Sequence, residues 1–207
     1  MATFEKHYFV GAKVSNYRDY RKRKFEQQAK DLDALFRRFG LMPEKAHIVD
    51  FGCATGGLIR ELKKLGYRNL QGTDISQWAI DCGISNYGLG SELQYYNRNI
   101  LRQNPLDAVL FLDVLEHIPE YEIEFLLSIM SHSKVSYAVC RIPVSLKEGE
   151  DFMLDVSRND KTHITCHSKN WWISLFAFHG YSLAMPIKTN SIYDSEGVMC
   201  GVFKCRP

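Results

Sequence analysis

Apolar positions recur along this chain with two different periods, and the switch between them organises it. Over residues 16–39, Phe25, Ala29, Leu32, Leu35, Phe36 and Phe39 fall on one helical face, and Gly40 follows as a stop. Residues 1–15 show no regular pattern. From residue 46 onward, short apolar runs alternate with helical stretches. The runs at 46–50, 70–73, 93–96, 108–112 and 135–142 read as strands. Between them a helix follows Gly56 and Gly57 to about Lys64, with Gly66 ending it. A second opens at Ser76, an N-cap residue, with Trp78, Ala79 and Ile80. A third over 120–131 carries Ile123, Leu126, Leu127 and Met130 on one face. Residues 144–167 are polar and too long for an ordinary connection. Ser168 then caps a helix with Trp172, Leu175 and Phe176, and the runs 181–188 and 198–204 flank a polar turn at 194–197. Strands alternating with helices predict an α/β fold, a parallel sheet with helices on both faces. The two closing runs predict an antiparallel hairpin at one side. In such open sheets ligands bind beyond the C-terminal ends of the strands, so the residues that close the strands are the candidates for chemistry.

Composition narrows the class. At 207 residues, 45% of them hydrophobic, one domain can bury a full core without staples. The expected division is a helical N-terminal lid over 1–40, a ligand-binding core over 41–143, a substrate loop over 144–170 and a closing helix and hairpin over 171–207. The net charge of +2 makes no demand for nucleic acid or a membrane surface, and the basic run 21–24 reads as a solvated helix face. Six cysteines, none in a Cys-x-x-Cys pair, read as buried thiols in a reducing compartment. No apolar run approaches a membrane span. These features predict a soluble cytoplasmic protein.

The stretch 48–61 carries the first chemistry. Ile48 and Val49 lead to Asp50, small residues follow at Gly52, Ala54, Gly56 and Gly57, and helical spacing resumes at Leu58 and Ile59. A strand, a tight turn and a helix in this order let a ligand lie against bare backbone beside unpaired N–H groups. A second acid, Asp74, closes the next strand, where a carboxylate can accept from both hydroxyls of a ribose. It is also suited to cap the helix that follows.

The turn at 50–56 resembles motif I of the class I methyltransferases that use S-adenosylmethionine (SAM), with Ala54 in place of its middle glycine. The block from Leu106 to Pro119, with an acid before the strand and Val-Leu-Glu-His after it, resembles the strand-4 signature of the small-molecule members. The likeness spans about 46–142. It implies a Rossmann-like fold, SAM as cofactor and methyl transfer to a small polar acceptor, a sugar or natural-product hydroxyl. It places Asp50, Gly52, Cys53, Ala54 and Gly56 at the cofactor, Asp74 on its ribose, and Ile75 and Trp78 by its adenine. Asn99 and Ile100 stand at the adenine edge, where the family usually has an acid. Leu112 and Asp113 flank the methionine end, and Tyr20 belongs to the segment that folds over the cofactor.

The segment His163-Ile-Thr, ahead of an aromatic-rich helix, resembles a loop over the substrate pocket of a subgroup. It makes His163 the candidate base, with His117 orienting the site. Tyr8, Tyr17, Arg18, Tyr20, Arg21, Trp171 and Trp172 are expected to shape the acceptor pocket. His163 and His167 are four apart, but Ile164 and Thr165 favour an extended piece and no third ligand stands nearby in sequence, so no metal is expected. A nicotinamide reductase would need the dinucleotide glycine pattern, which is missing. An RNA methyltransferase and a non-catalytic SAM-binding subunit stay open as alternatives.

Overall fold

The computed structural model describes residues 4–11, 15 and 19–206. Seven strands form one sheet: β1 (His47–Phe51), β2 (Asn69–Asp74), β3 (Leu93–Tyr95), β4 (Ala108–Leu112), β5 (Tyr137–Pro143), β6 (Tyr181–Pro186) and β7 (Val198–Cys205). Their order is β3-β2-β1-β4-β5-β7-β6, with the first five parallel and β7 antiparallel to both neighbours. The Rossmann-like sheet and its closing hairpin are therefore present, and the second strand of the hairpin is the one that joins the parallel set. Burial explains the choice. Val198 to Phe203 are buried without interruption, as an interior strand requires, whereas β6 mostly alternates like an edge.

The helices are α1 (Lys6–Phe9), α2 (Glu26–Arg38), α3 (Gly57–Lys64), α4 (Gln77–Tyr87), α5 (Glu120–His132), α6 (Asp155–Arg158) and α7 (Lys169–Phe178). Each strand sends alternate residues to opposite layers. Ala108 and Leu110 of β4 meet Leu32 and Phe36 of α2 and Ile59 and Leu62 of α3 in one core. Val109 and Phe111 meet Leu126 and Met130 of α5 and Trp172 and Phe176 of α7 in the other. Ser76 caps α4 by accepting from the Ala79 N–H, and Ser168 caps α7 by accepting from the Trp171 N–H.

Two expectations are revised. The helix predicted over 16–39 begins at Glu26: Asp19 accepts from the Arg21 N–H, a 3-10 turn spans Tyr20–Lys22, and extended backbone follows at Arg23. The apolar spacing that suggested one helix included Phe25, which instead buries itself ahead of α2. Residues 144–167 contain the single helical turn α6 and are tied down by bridges from Ser145 to Phe152 and Ser168. Among the described residues no helix is long and apolar enough to cross a membrane.

Candidate active site

Two cavities open beyond the C-terminal strand ends. The larger, of about 640 Å³, falls in the usual range for small-molecule sites. The smaller is about 260 Å³. His117, Asp113, Tyr8 and Arg23 line both, so the two adjoin.

The floor of the larger cavity is the turn after β1. The Thr73 carbonyl of β2 accepts from Gly52 N–H at 2.8 Å and Cys53 N–H at 3.1 Å, lashing the turn to the sheet. Gly52 has φ +81°, and a Cβ there would stand 2.4 Å from Val114 Cγ2, so only glycine fits. Ala54 also adopts a left-handed φ of 48°, in which the Asp74 carboxylate holds its N–H at 2.8 Å. The other Asp74 oxygen accepts from Ser76 N–H at 2.8 Å. The Ile75 N–H also bears on this carboxylate, so Asp74 braces the turn with several backbone donors while lining the cavity. Burial raises its pKa to about 6, and burial together with Asp74 raises Asp50 to about 7. On the opposite wall the chain leaves β4 at Asp113 with φ 59°. The Asp113 N–H donates to the Arg141 carbonyl at 2.8 Å, and its carboxylate takes the Arg141 guanidinium.

Of the residues expected at the cofactor, Tyr20, Gly52, Ala54, Asp74, Ile75, Asn99, Leu112 and Asp113 line this cavity. The others lie behind it. Asp50 is buried in β1, Cys53 sits against Gly72, and Gly56 faces Leu89 and Leu93. Ile100 is 1% exposed in the core, whereas Asn99 lines the cavity. Trp78 stacks on Phe9 at 5.5 Å and lies behind it, so that Phe9 and half-exposed Ile75 line the cavity and Trp78 does not. Phe4, Tyr8, Phe9 and Tyr20 roof the cavity from the N-terminal side. The sequence reading passed over Phe4, Tyr96 and Glu122, which also line it; Tyr96 Oη donates to Glu122 at 2.6 Å.

The smaller cavity is lined by His163, Asp160, Ser157 and Leu154 of the long loop, by Glu116 and His117 of the turn after β4, and by Arg141 of β5. The loop is clasped to the turn Leu115–His117. Ile164 N–H and Thr165 N–H both donate to the Glu116 carbonyl, at 2.9 and 3.0 Å, and Thr165 Oγ1 donates to the Ile118 carbonyl at 2.7 Å. The two histidines read as alternatives are thereby neighbours, with ring centroids 4.6 Å apart. His117 does not stand on the cofactor side alone, since it lines both cavities. Burial first, and then His163, lowers the His117 pKa to about 4; burial lowers that of His163 too. Both rings are therefore neutral at pH 7. Glu116, which the sequence reading did not single out, joins them. It is fully buried, and burial followed by the nearby Asp113 holds its carboxyl well above the ordinary range. Its signal was an acid embedded in the apolar run Val114-Leu115 beside a histidine.

Other expectations are not met. Trp172 is wholly buried in the core, and Trp171 stacks on His167 at 3.6 Å. His167 pairs with Glu120 and Glu148 rather than with His163. Arg21 is bound to Asp19. Tyr17 and Arg18 lie outside the described residues. Of the basic run, Arg23 turns to the cavities.

A methyltransferase domain family matches residues 20–184. No curated protein matches the sequence. Among solved structures the chain is similar to the methyltransferase domain of bacterial CtHen1-C, with 16% identity, 88% of this chain and 98% of that chain covered, and a TM-score of 0.62. It is also similar to magnesium protoporphyrin IX methyltransferase (ChlM) from Synechocystis PCC 6803 with bound SAH, at 17% identity, 88% and 83% coverage and a TM-score of 0.58. LepI in complex with SAM aligns at 16% identity, over 84% of this chain and 46% of that one, with a TM-score of 0.60. At such identities the likeness is one of fold. The bare-backbone turn at Gly52 and the cavity-lining carboxylate of Asp74 fit a nucleoside-bearing cofactor. The family match covers most of the chain and agrees with that cradle and with the sheet order: this chain belongs to the class I methyltransferases, whose cofactor is SAM.

Proposed function

We propose that the protein transfers a methyl group from SAM to a hydroxyl of a small polar molecule, a sugar or a hydroxylated natural product, seated in the smaller cavity. The observation that carries this reading is the meeting of the two cavities at His117 and Asp113. A donor in one and an acceptor in the other would face each other there.

SAM supplies a methyl group on a sulfonium, already activated by positive charge. The chain's task is to position and to handle one proton. Gly52 and Ala54 offer backbone, Asp74 accepts from the ribose, and Asn99 and Ile75 meet the adenine. Leu112 and Asp113 border the methionine end. The roof from Phe4 to Tyr20 acts as a lid that excludes water, within the division into lid, core, substrate loop and closing hairpin set out above. His163 takes the proton of the acceptor. Its Nδ1 is buried and has no hydrogen-bond partner among the described residues, and the ring is neutral at pH 7. His117 orients the site, fixed through Nδ1 by Thr162.

Thermal stabilisation by SAM, SAH and NAD, measured side by side, tests the cofactor half. Stabilisation by the first two and none by NAD is expected; stabilisation by NAD alone would overturn it. A screen of hydroxylated acceptors with methyl-labelled SAM then tests the acceptor class.

A further inference from the structure

We infer that Glu116, His117 and His163 form a binding site for one divalent first-row transition cation, of the manganese-to-zinc type, open toward the smaller cavity. The three side chains each offer a ligand atom, and these atoms all lie within 4.8 Å of one another. Ligands held at about 2.0–2.2 Å from a cation stand about 3.0–3.5 Å apart, so modest side-chain rotations close the set.

Two independent features point to an ion. First, both Glu116 carboxyl oxygens are buried and have no hydrogen-bond partner among the described residues, and the same holds for His163 Nδ1. Buried polar atoms are nearly always paired, and two unpartnered carboxyl oxygens within reach of two imidazoles mark a missing partner. The Arg141 guanidinium on the same wall is taken by Asp113. Second, the tautomer of His117 is determined. Its Nδ1 meets the Thr162 carbonyl at 3.1 Å and Thr162 Oγ1 at 3.0 Å, and Oγ1 gives its own proton to Asp160 at 2.5 Å. Both partners accept, so Nδ1 carries the hydrogen and the lone pair is on Nε2. A carbonyl holding the far N–H is the arrangement that orients and strengthens a ligating imidazole. The backbone clasp between Glu116 and Ile164–Thr165 keeps the turn and the loop in register.

Two imidazoles and one carboxylate suit a borderline cation better than magnesium or calcium. Three protein ligands leave coordination positions for an exogenous oxygen. The ion's role, though not its binding, rests on the methyl-transfer reading: it holds the acceptor hydroxyl and makes its proton acidic enough to pass to solvent water as the oxygen takes the methyl group and SAH is left, so that His163 serves as ligand in place of the base role given above.

The test uses the full chain, stripped with a chelator and titrated with Co²⁺, Mn²⁺ and Zn²⁺, with Mg²⁺ as control. One equivalent should bind. Co²⁺ should give weak visible bands without the strong near-ultraviolet absorption of thiolate ligation, and the melting temperature should rise. Glu116→Gln and His163→Ala should each weaken Co²⁺ binding by at least about a hundredfold, beyond the loss typical of outer-shell changes. Calorimetric SAM affinity should stay within about twofold, since neither residue touches the cofactor cavity in the assignments above. Absence of binding or of a melting shift in the wild-type chain would overturn the site whether or not the variants fold. So would thiolate bands, or binding that survives Glu116→Gln. If SAM still binds in that event, methyl transfer stands with His163 as base. If the metal binds and SAM does not, the site stands and the methyl-transfer reading falls.

Discussion

The two cavities are built from different materials. The floor and walls of the larger are backbone and residues that lie just after β1, β2, β3 and β4, under a roof of Phe4, Tyr8, Phe9 and Tyr20. The smaller is walled by side chains from β5, the turn after β4 and a long loop, joined where Ile164 and Thr165 bond that turn and Thr162 meets His117. One half is shaped mainly by turns next to its strands, with Asp74 as the side chain that holds them. The other depends on particular side chains that the fold must bring together. Variants in one half should therefore leave the other largely intact, and each prediction below tests that separation.

The largest effect is expected at His163. Whether it takes the acceptor's proton or ligates an ion, His163→Ala should lower turnover by about 10²–10⁴-fold, the usual contribution of a positioned base. Steady-state rates with a methyl acceptor would measure it, and SAM affinity should be unmoved. Asp74→Ala comes next. It removes a charged acceptor from the ribose, a bond of about 1.5–3 kcal/mol, so calorimetry should show SAM binding at least about tenfold weaker. The same change releases the Ala54 and Ser76 N–H groups, so a loss of thermal stability should accompany it.

Gly52→Val sharpens the contrast in another way. Its side chain would meet Val114 and sit at a left-handed φ, so it should destabilise the fold by at least about 1–3 kcal/mol. A lower melting temperature, measured without ligand, distinguishes that from simple blockage of the cofactor. The smallest effect is that of pH. The folded protein keeps protons on Asp50 and Asp74, with pKa values of about 7 and about 6, that the unfolded chain releases near pH 4. The folded state thus binds more protons between pH 4 and 7, and stability should fall as pH rises through that window. Asp50→Asn should flatten the slope in thermal melts. A cationic cofactor offsets the same charges, so SAM affinity should rise over the same range.

This difference in material also explains what the sequence disclosed. The cradle was legible because a strand, a glycine turn and a capped helix are local: Gly52, Asp74, Ser76 and Asp113 were identifiable from period and punctuation alone. Trp78 misled because an exposed position on α4 is covered by Phe9 from a segment without periodicity. The start of α2 misled because Phe25 matched a helical face while serving as an anchor before it. The acceptor half was only partly legible. His117 and His163 each carried a signal, but nothing in their spacing told that they touch. The pair four apart, His163 and His167, suggested the wrong neighbours because the loop is extended there. Glu116 was hidden in plain sequence, since burial of an acid shows only once the core is built around it.

The separation of the two halves can be tested without knowing the acceptor, by titrating SAM calorimetrically into the wild-type chain, Asp74→Ala and His163→Ala under one set of conditions. The account predicts a dissociation constant raised at least about tenfold in Asp74→Ala and within about twofold of wild type in His163→Ala. Unchanged binding in Asp74→Ala together with a tenfold loss in His163→Ala would contradict it.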